Sequence, residues 1–155
     1  MRERIAARLK ELGIDLPNPA PPQGAYVPFV RTGSLLFISG QITAGANGLE
    51  YVGTVGREIT LEDAQRAARL AAINVIAQAS QALDGDLDRV TRVVKVTGFV
   101  NAVPGFTQHP EVINGASELF VQVFGEAGRH ARAAVGAASL PRNVAVEVEA
   151  IFEVA

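Results

Sequence analysis

The sequence predicts an α/β domain in which two long helices cover one face of a mixed β-sheet. Its 155 residues are an ordinary length for one domain, and 48% hydrophobic against 19% charged residues are enough to build a core. Apolar periodicity orders the elements as an N-terminal helix, three strands, a helix, a strand, a helix and two strands. The second face of such a sheet lacks a helical cover, which indicates an oligomer.

We predict one domain over residues 1–155, with a helical extension at about residues 1–16. Four apolar side chains recur there at helical spacing between charged residues: Ile5, Leu9, Leu12 and Ile14. This helix is expected to pack on the domain or on a neighbouring subunit. The segment lacks the apolar centre and cleavage site of a signal peptide, and no stretch reaches the roughly 20 apolar residues of a membrane helix. We therefore expect a cytoplasmic protein with no membrane partner.

The strands before the first long helix follow from apolar runs and turn residues. The connector "DLPNPAPPQGAY", from Asp15 to Tyr26, is expected to be extended because prolines fix the backbone. Apolar runs on either side of residues 31–34 predict a strand, a tight turn and a strand. A glycine-rich loop then leads to a short third strand near residues 51–53.

The remaining elements alternate between helix and strand. Thr60 is predicted to cap the first long helix, which ends at residues 84–86. A β-branched run predicts a strand over about residues 90–100, and Pro110 suits the first turn of the second long helix. Two further strands close the chain, over roughly residues 131–136 and 144–153.

Composition narrows the functional classes. The chain has no Cys, so it has no disulfide, thiolate metal site or cysteine nucleophile. With two histidines, a catalytic zinc site is not expected, and neither a metal nor a cofactor is predicted. The formal net charge is -2 and the sequence has no basic patch, so a nucleic-acid partner is not expected either.

One charge, Arg132, stands in a run of small and apolar residues that is typical of a strand. Burying it would be costly without a partner. The following strand alternates strictly, which places Glu147 and Glu149 on one face together with Ile151. Those glutamates are either half-solvated or partly covered. The partner of Arg132 is either one of them or the carboxylate of a ligand, which a guanidinium can grip with two hydrogen bonds.

Three features together resemble one known family: the stretch "ARAAVGAASLPRNVAVEVEAI", the stretch "FISGQI", and the order of helices and strands between them. They are similar to the Rid family (RidA/YjgF), the reactive-intermediate deaminases once labelled endoribonucleases. The resemblance runs from about Gly24 onward and leaves out the N-terminal helix. It implies a chorismate-mutase-like fold, with a six-stranded mixed sheet in the order 1-2-3-6-4-5, and a homotrimer with clefts between its subunits.

The same resemblance implies an activity without cofactor or metal. Enamines and imines such as 2-aminoacrylate are hydrolysed to 2-keto acids and ammonia. Arg132 is expected to bind the substrate carboxylate, supported by the backbone N–H of Ala134, and Glu149 to hold the attacking water. The lining of the cleft is expected to include Tyr26, Ser39 and Gly40. Arg132 would come from one subunit, and the tyrosine, the serine and the glutamate from its neighbour.

Two positions depart from the family pattern. The family often has an asparagine on the second long helix; here either Ser117 or Asn114 is expected to make that contact. His130 stands where a proline or a small residue is usual, so the edge of the pocket is expected to differ.

Two other functional classes remain open from the sequence. The same arginine cleft could bind a 2-keto acid without turnover or serve a chaperone-like module. An RNA-cleaving translation inhibitor is suggested by the old family label, and the acidic charge balance disfavours it.

Overall fold

The computed structural model describes residues 3–19, 21–22 and 24–155. The three α-helices of this part of the chain are α1 (Arg4–Glu11), α2 (Leu61–Ala82) and α3 (His109–Phe124). The strands are β1 (Phe29–Thr32), β2 (Leu35–Gln41), β3 (Ala44–Gly45), β4 (Gly48–Leu49), β5 (Val90–Asn101), β6 (Ala131–Ala137) and β7 (Val146–Val154). Thr60 caps α2 as predicted, because its side chain accepts the backbone N–H of Asp63 at 3.1 Å.

Five strands form one mixed sheet in the order β1-β2-β7-β5-β6, and β3 pairs with β4 in a separate hairpin. β5 and β6 run parallel, whereas the other neighbours are antiparallel. β5 therefore lies between the last two strands, and these do not form a hairpin with each other. The α/β class with a mixed sheet is confirmed.

The glycine-rich loop that was expected before residue 51 forms the β3–β4 hairpin. The expected third strand, near residues 51–53, is reduced to an isolated bridge between Val52 and Val144. The backbone explains this difference. Tyr51 has φ 52° and Gly53 has φ 144°, and neither value belongs to an extended L-residue strand. The chain can touch the sheet at one residue here but cannot pair along it.

α2 and α3 cover one face of the sheet, and the core lies between this helical layer and the sheet. The alternation predicted for β7 holds, since its core-facing side chains are all buried: Val146, Val148, Ala150, Phe152 and Val154. The two helices approach closely at Gly115, where a Cβ atom would overlap the backbone of Gln65. This contact helps to fix α3, which carries part of the site described below.

α1 packs on α3 and on the turn before β5, so the predicted apolar face is confirmed. Ile5, Leu9 and Ile14 are buried. The carboxylate of Asp88 accepts the backbone N–H groups of Arg4 at 3.0 Å and of Ile5 at 2.8 Å, which satisfies two donors at the start of the helix. The helix is shorter than the predicted extension; residues 1–2 lie outside the described part of the chain.

The second face of the sheet is open. Val30, Phe37 and Val135 are 51%, 41% and 43% exposed there, although they belong to the body of the sheet. Val30 is paired with Phe37, which in turn is paired with Ile151, so apolar side chains run across several strands. Among the described residues, no helix is long and apolar enough to cross a membrane.

Candidate active site

Arg132 is held by α3. It pairs with Val96 across the parallel strands β6 and β5, so both side chains point to the helix-covered face. Its Nη1 donates to Asn114 Oδ1 at 2.8 Å and to Ser117 Oγ at 3.2 Å. Both candidates for the helix contact therefore take part. No ion pair joins this guanidinium to a carboxylate of the described residues, so pairing with Glu147 or Glu149 is not observed.

His130 extends this hydrogen-bonded group. Its Nε2 lies 2.8 Å from Ser117 Oγ, and its Nδ1 lies 2.6 Å from the carbonyl oxygen of Gly128. Burial lowers the pKa of His130; the hydrogen bond to Gly128 opposes this, and the positive charge of Arg132 lowers the pKa further. The neutral imidazole is therefore the favoured form in this environment.

Glu147 and Glu149 of β7 lie on the open face of the sheet, together with Glu153. Glu147 is paired with Phe99 and Glu149 with Thr97 on β5. Glu149 is exposed, whereas Glu147 is half-buried. Burial raises the pKa of Glu147, and the negative charge of Glu149 raises it further. A carboxyl group whose pKa is raised in this way is a candidate general acid or base.

A cavity of about 630 Å³ lies beside Glu147. Of the predicted cleft residues, it brings together Tyr26 and Gly40. The pairing of β2 with β7 shifts register between Ile38 and Gln41, and Gly40 stands in this irregular stretch. A Cβ atom at Gly40 would overlap the Glu147 carboxylate, so the glycine makes room for it.

The other predicted site residues lie elsewhere. Ser39 Oγ donates to the carbonyl oxygen of Val27 at 2.8 Å and thereby ties down the segment that follows Tyr26. The lining of the cavity does not include the following predicted residues: Ser39, Ser117, Arg132, Ala134 and Glu149.

Within one chain, Arg132 and Glu147 are separated. Two strand spacings and three residues of register lie between them, which places their Cα atoms roughly 14 Å apart. Their side chains point to opposite faces of the sheet. Ala134 lies on the face of Arg132, because its partner Gly98 contacts α3. A single copy cannot bring these two charged groups to one small substrate.

Sequence reasoning placed neither Glu147 nor Arg142 in the cleft, and both line the cavity. One signal for Glu147 was present in the sequence. A glycine inside a strand, as in "FISGQI", often marks the close approach of another group. In the described part of the chain, no cluster of three or more His, Cys, Asp or Glu side chains could hold a metal ion.

Comparison with known proteins places this architecture. The chain is 50% identical over 151 residues to protein TCP17 of Trypanosoma cruzi, covering 97% of this chain and 94% of that protein. It is 30% identical over 138 residues to a 2-iminobutanoate/2-iminopropanoate deaminase of Dermatophagoides farinae, covering 89% and 92%. The crystal structure of Atu1372, a protein of unknown function from Agrobacterium tumefaciens, matches with TM-score 0.92 and 50% identity, over 99% of this chain and 94% of that one.

A family model matches residues 6–154, which is nearly the whole chain. It describes YjgF/chorismate-mutase-like proteins and also carries an endoribonuclease label. The match agrees with the mixed sheet and the two covering helices described above. The chain belongs to the YjgF/chorismate-mutase-like family.

Proposed function

We propose that this protein hydrolyses 2-imino acids, and the enamines that tautomerise to them, to 2-keto acids and ammonia. One observation carries the proposal. Arg132 is fixed through Nη1 by two neutral side chains, and no carboxylate of the described residues pairs with it. Among the described residues, none accepts a hydrogen bond from its Nη2 or Nε, so both can bind a substrate carboxylate in the two-pronged geometry of a guanidinium. The name of the deaminase relative from Dermatophagoides farinae supports this substrate class.

The chemistry needs little beyond binding and proton transfer. An enamine first tautomerises to the imine. Water then adds to the C=N carbon while one of its protons passes to the nitrogen. Collapse of the resulting aminoalcohol breaks the C–N bond and releases ammonia, which leaves the 2-keto acid. A positioned carboxyl group can speed such proton transfers by about 10² to 10⁴-fold.

We assign the proton transfer to Glu147, whereas the sequence alone favoured Glu149. Glu147 borders the cavity beside Tyr26 and Gly40 and has a raised pKa, whereas Glu149 is exposed. A raised pKa brings a carboxyl group nearer to the working pH of a general acid and base. Glu149 keeps an electrostatic influence, because its charge is one cause of the raised pKa.

The active cleft is proposed to form between subunits of a homotrimer. Arg132 would come from one subunit and Tyr26, Gly40 and Glu147 from its neighbour. The opposite orientation of the two charged groups within one chain supports this arrangement. The exposed apolar side chains of the open sheet face support an oligomer, because association would bury them.

The direct test generates 2-iminopropanoate in solution with an amino-acid oxidase acting on alanine. Semicarbazide traps the remaining imine, so an active protein should reduce the trapped fraction in proportion to its concentration. The Arg132→Ala variant should not. An unchanged trapped fraction would contradict the proposal. Saturable binding of pyruvate without turnover would instead support the binding module.

A further inference from the structure

The hydrogen positions around His130 follow from its two contacts. A carbonyl oxygen only accepts, so the Nδ1 that lies 2.6 Å from Gly128 O carries a proton. In the neutral ring Nε2 then holds a lone pair. Ser117 Oγ, 2.8 Å away, must donate its hydroxyl proton to that lone pair. The orientation of the Ser117 hydroxyl is thus dictated by His130.

The orientation of the Ser117 hydroxyl also affects Arg132. Because the only proton of the Ser117 hydroxyl is engaged by His130, the oxygen presents its lone pairs to Arg132 Nη1 at 3.2 Å. Asn114 Oδ1 accepts from the same Nη1 at 2.8 Å. Two acceptors on the one Nη1 nitrogen fix the plane of the guanidinium and leave its Nη2–Nε edge for a carboxylate. We infer that His130 is a positioning residue that acts through Ser117 to orient Arg132 toward the substrate carboxylate.

This inference rests on the proposed function, and a purely structural role must be distinguished from it. The His130 ring also packs edge to face against Phe120, with centroids 5.8 Å apart, so its loss could loosen the core. His130→Leu removes the acceptor, whereas His130→Gln can place an amide oxygen near the former Nε2 position. Ser117→Ala removes the link itself. Thermal unfolding of each variant reports any effect on the core.

The test is a double-mutant cycle on KM and kcat for 2-iminopropanoate. His130→Leu should raise KM about three- to tenfold, the effect of losing one hydrogen bond, with little change in kcat. His130→Gln should restore KM. In a Ser117→Ala background, His130→Leu should have no further effect, because residues coupled through one network are not additive. Additive effects, or an unchanged KM in His130→Leu, would overturn the inference. The same cycle can be measured on the Kd for pyruvate, which needs no turnover. It therefore tests the positioning role of His130 even if the protein does not hydrolyse imines.

A second observation, independent of the first, concerns the wall of the cavity. Six of the eight prolines in the chain line it: Pro17, Pro19, Pro21, Pro22, Pro28 and Pro141. Four of them belong to the connector after α1. Proline has a fixed φ and no N–H donor, so these six residues restrict the backbone and present carbon atoms. The buried side chains of α1 anchor the connector to the domain. An apolar surface that is rigid before binding favours an apolar ligand group, because less freedom is lost.

Two amide side chains that line the cavity donate to the protein backbone. Asn74 Nδ2 donates to the carbonyl oxygens of Ile42 and Ala44, both at 3.0 Å. Gln41 Nε2 donates to the carbonyl oxygen of Ser39 at 3.0 Å. Ala44 is paired with Leu49 on the β3–β4 hairpin, and both line the cavity. The hairpin therefore adds apolar surface opposite the connector.

The cavity is large in comparison with the smallest 2-imino acid. A cavity of about 630 Å³ lies in the range of roughly 300–1,000 Å³ that encloses drug-sized ligands. 2-Iminopropanoate has only six non-hydrogen atoms by its formula and would fill a small part of it. The geometry points to 2-imino acids with larger apolar side chains, such as those derived from leucine or phenylalanine, as the preferred substrates. This inference also rests on the proposed function.

The test compares kcat/KM for imines that an amino-acid oxidase generates from alanine and from leucine. The leucine imine should be preferred at least about tenfold, since each well-packed methylene contributes about that factor. Ala44→Phe should lower kcat/KM for the leucine imine about tenfold more than kcat/KM for the alanine imine. Ala46→Phe, on the exposed tip of the same hairpin, is the matched control and should change neither.

Two outcomes would overturn the preference: a leucine imine no better than the alanine imine, or equal losses for both in Ala44→Phe. If Ala44→Phe does not fold, Leu49→Ala should selectively weaken the leucine imine, because it removes a side chain from the wall. If neither imine is hydrolysed faster than in buffer, the proposed function fails and not merely the substrate preference.

Discussion

At the scale of single residues, the proposed site combines one cation and one carboxyl group that lie in contrasting environments. Arg132 is held by neutral acceptors on α3, which fix it without neutralising its charge. Glu147 is half-buried beside a like charge, which favours its protonated form. The first environment preserves attraction for an anion, and the second allows proton exchange. Both can be tested by conservative substitutions.

Arg132→Lys keeps the positive charge but loses the planar two-pronged donor. We expect kcat/KM for the imine to fall about ten- to hundredfold, which corresponds to one charge-assisted hydrogen bond. Steady-state assays with semicarbazide trapping measure it. Arg31→Lys is the matched control, because Arg31 is exposed on β1 and its side chain donates to the carbonyl oxygen of Gly33 in its own turn. An Arg132→Lys variant with unaltered kcat/KM would remove this residue from the site.

The pH dependence of the reaction should identify the working carboxyl group. If Glu147 acts as the base, kcat/KM rises with pH through a pKa that lies above the ordinary glutamate value. Glu149→Gln removes a charge that helps to raise this pKa, so the acidic limb should move to lower pH while the plateau changes little. Glu147→Gln should lower the plateau by about 10² to 10⁴-fold. The reverse result, with Glu149→Gln inactive and Glu147→Gln active, would restore the role expected from the sequence.

At the scale of elements, the irregular stretch of β2 leaves space for the Glu147 side chain. The register shift after Ile38 lets Gly40 stand against the carboxylate instead of filling a regular strand position. The strand order matters equally. β5 separates β6 from β7, so the arginine strand and the glutamate strand are not neighbours. The geometry of the site therefore depends on how strands pair as much as on which residues they contain.

Gly40→Ala tests this arrangement. The added methyl group would displace the far end of the flexible Glu147 side chain, which can move at small cost to stability. We therefore expect kcat to fall about tenfold or more, as in other displacements of a catalytic group, with only a small change in Tm. In a Glu147→Gln background the same substitution should have little further effect. A large fall in Tm, or full additivity with Glu147→Gln, would mean that Gly40 serves the fold and not the carboxylate.

At the scale of the whole molecule, the proposed site requires more than one copy of the chain. Sedimentation should give a trimer at micromolar concentration.

Arg132→Ala and Glu147→Ala should each be inactive alone. Refolded together as mixed trimers, verified by native mass spectrometry, they should regain up to about one quarter of the wild-type activity, because one cleft in four receives both intact residues by random assembly. Verified mixed trimers without recovered activity would place both groups in one chain.

The sequence by itself determined the three helices, the strands β1, β2, β5, β6 and β7, the cap at Thr60 and the buried alternation of β7. These are local properties, because periodicity and capping act over a few residues. Only the tertiary structure decided that both Asn114 and Ser117 hold Arg132, that His130 lies behind them, and that Glu147 and not Glu149 borders the cavity. Two glutamates on one strand face are equivalent in a pattern of period two. They become different only where another strand, here with Gly40, comes close to one of them. The expected third strand, near residues 51–53, likewise does not form, because its backbone angles are not encoded in the apolar pattern.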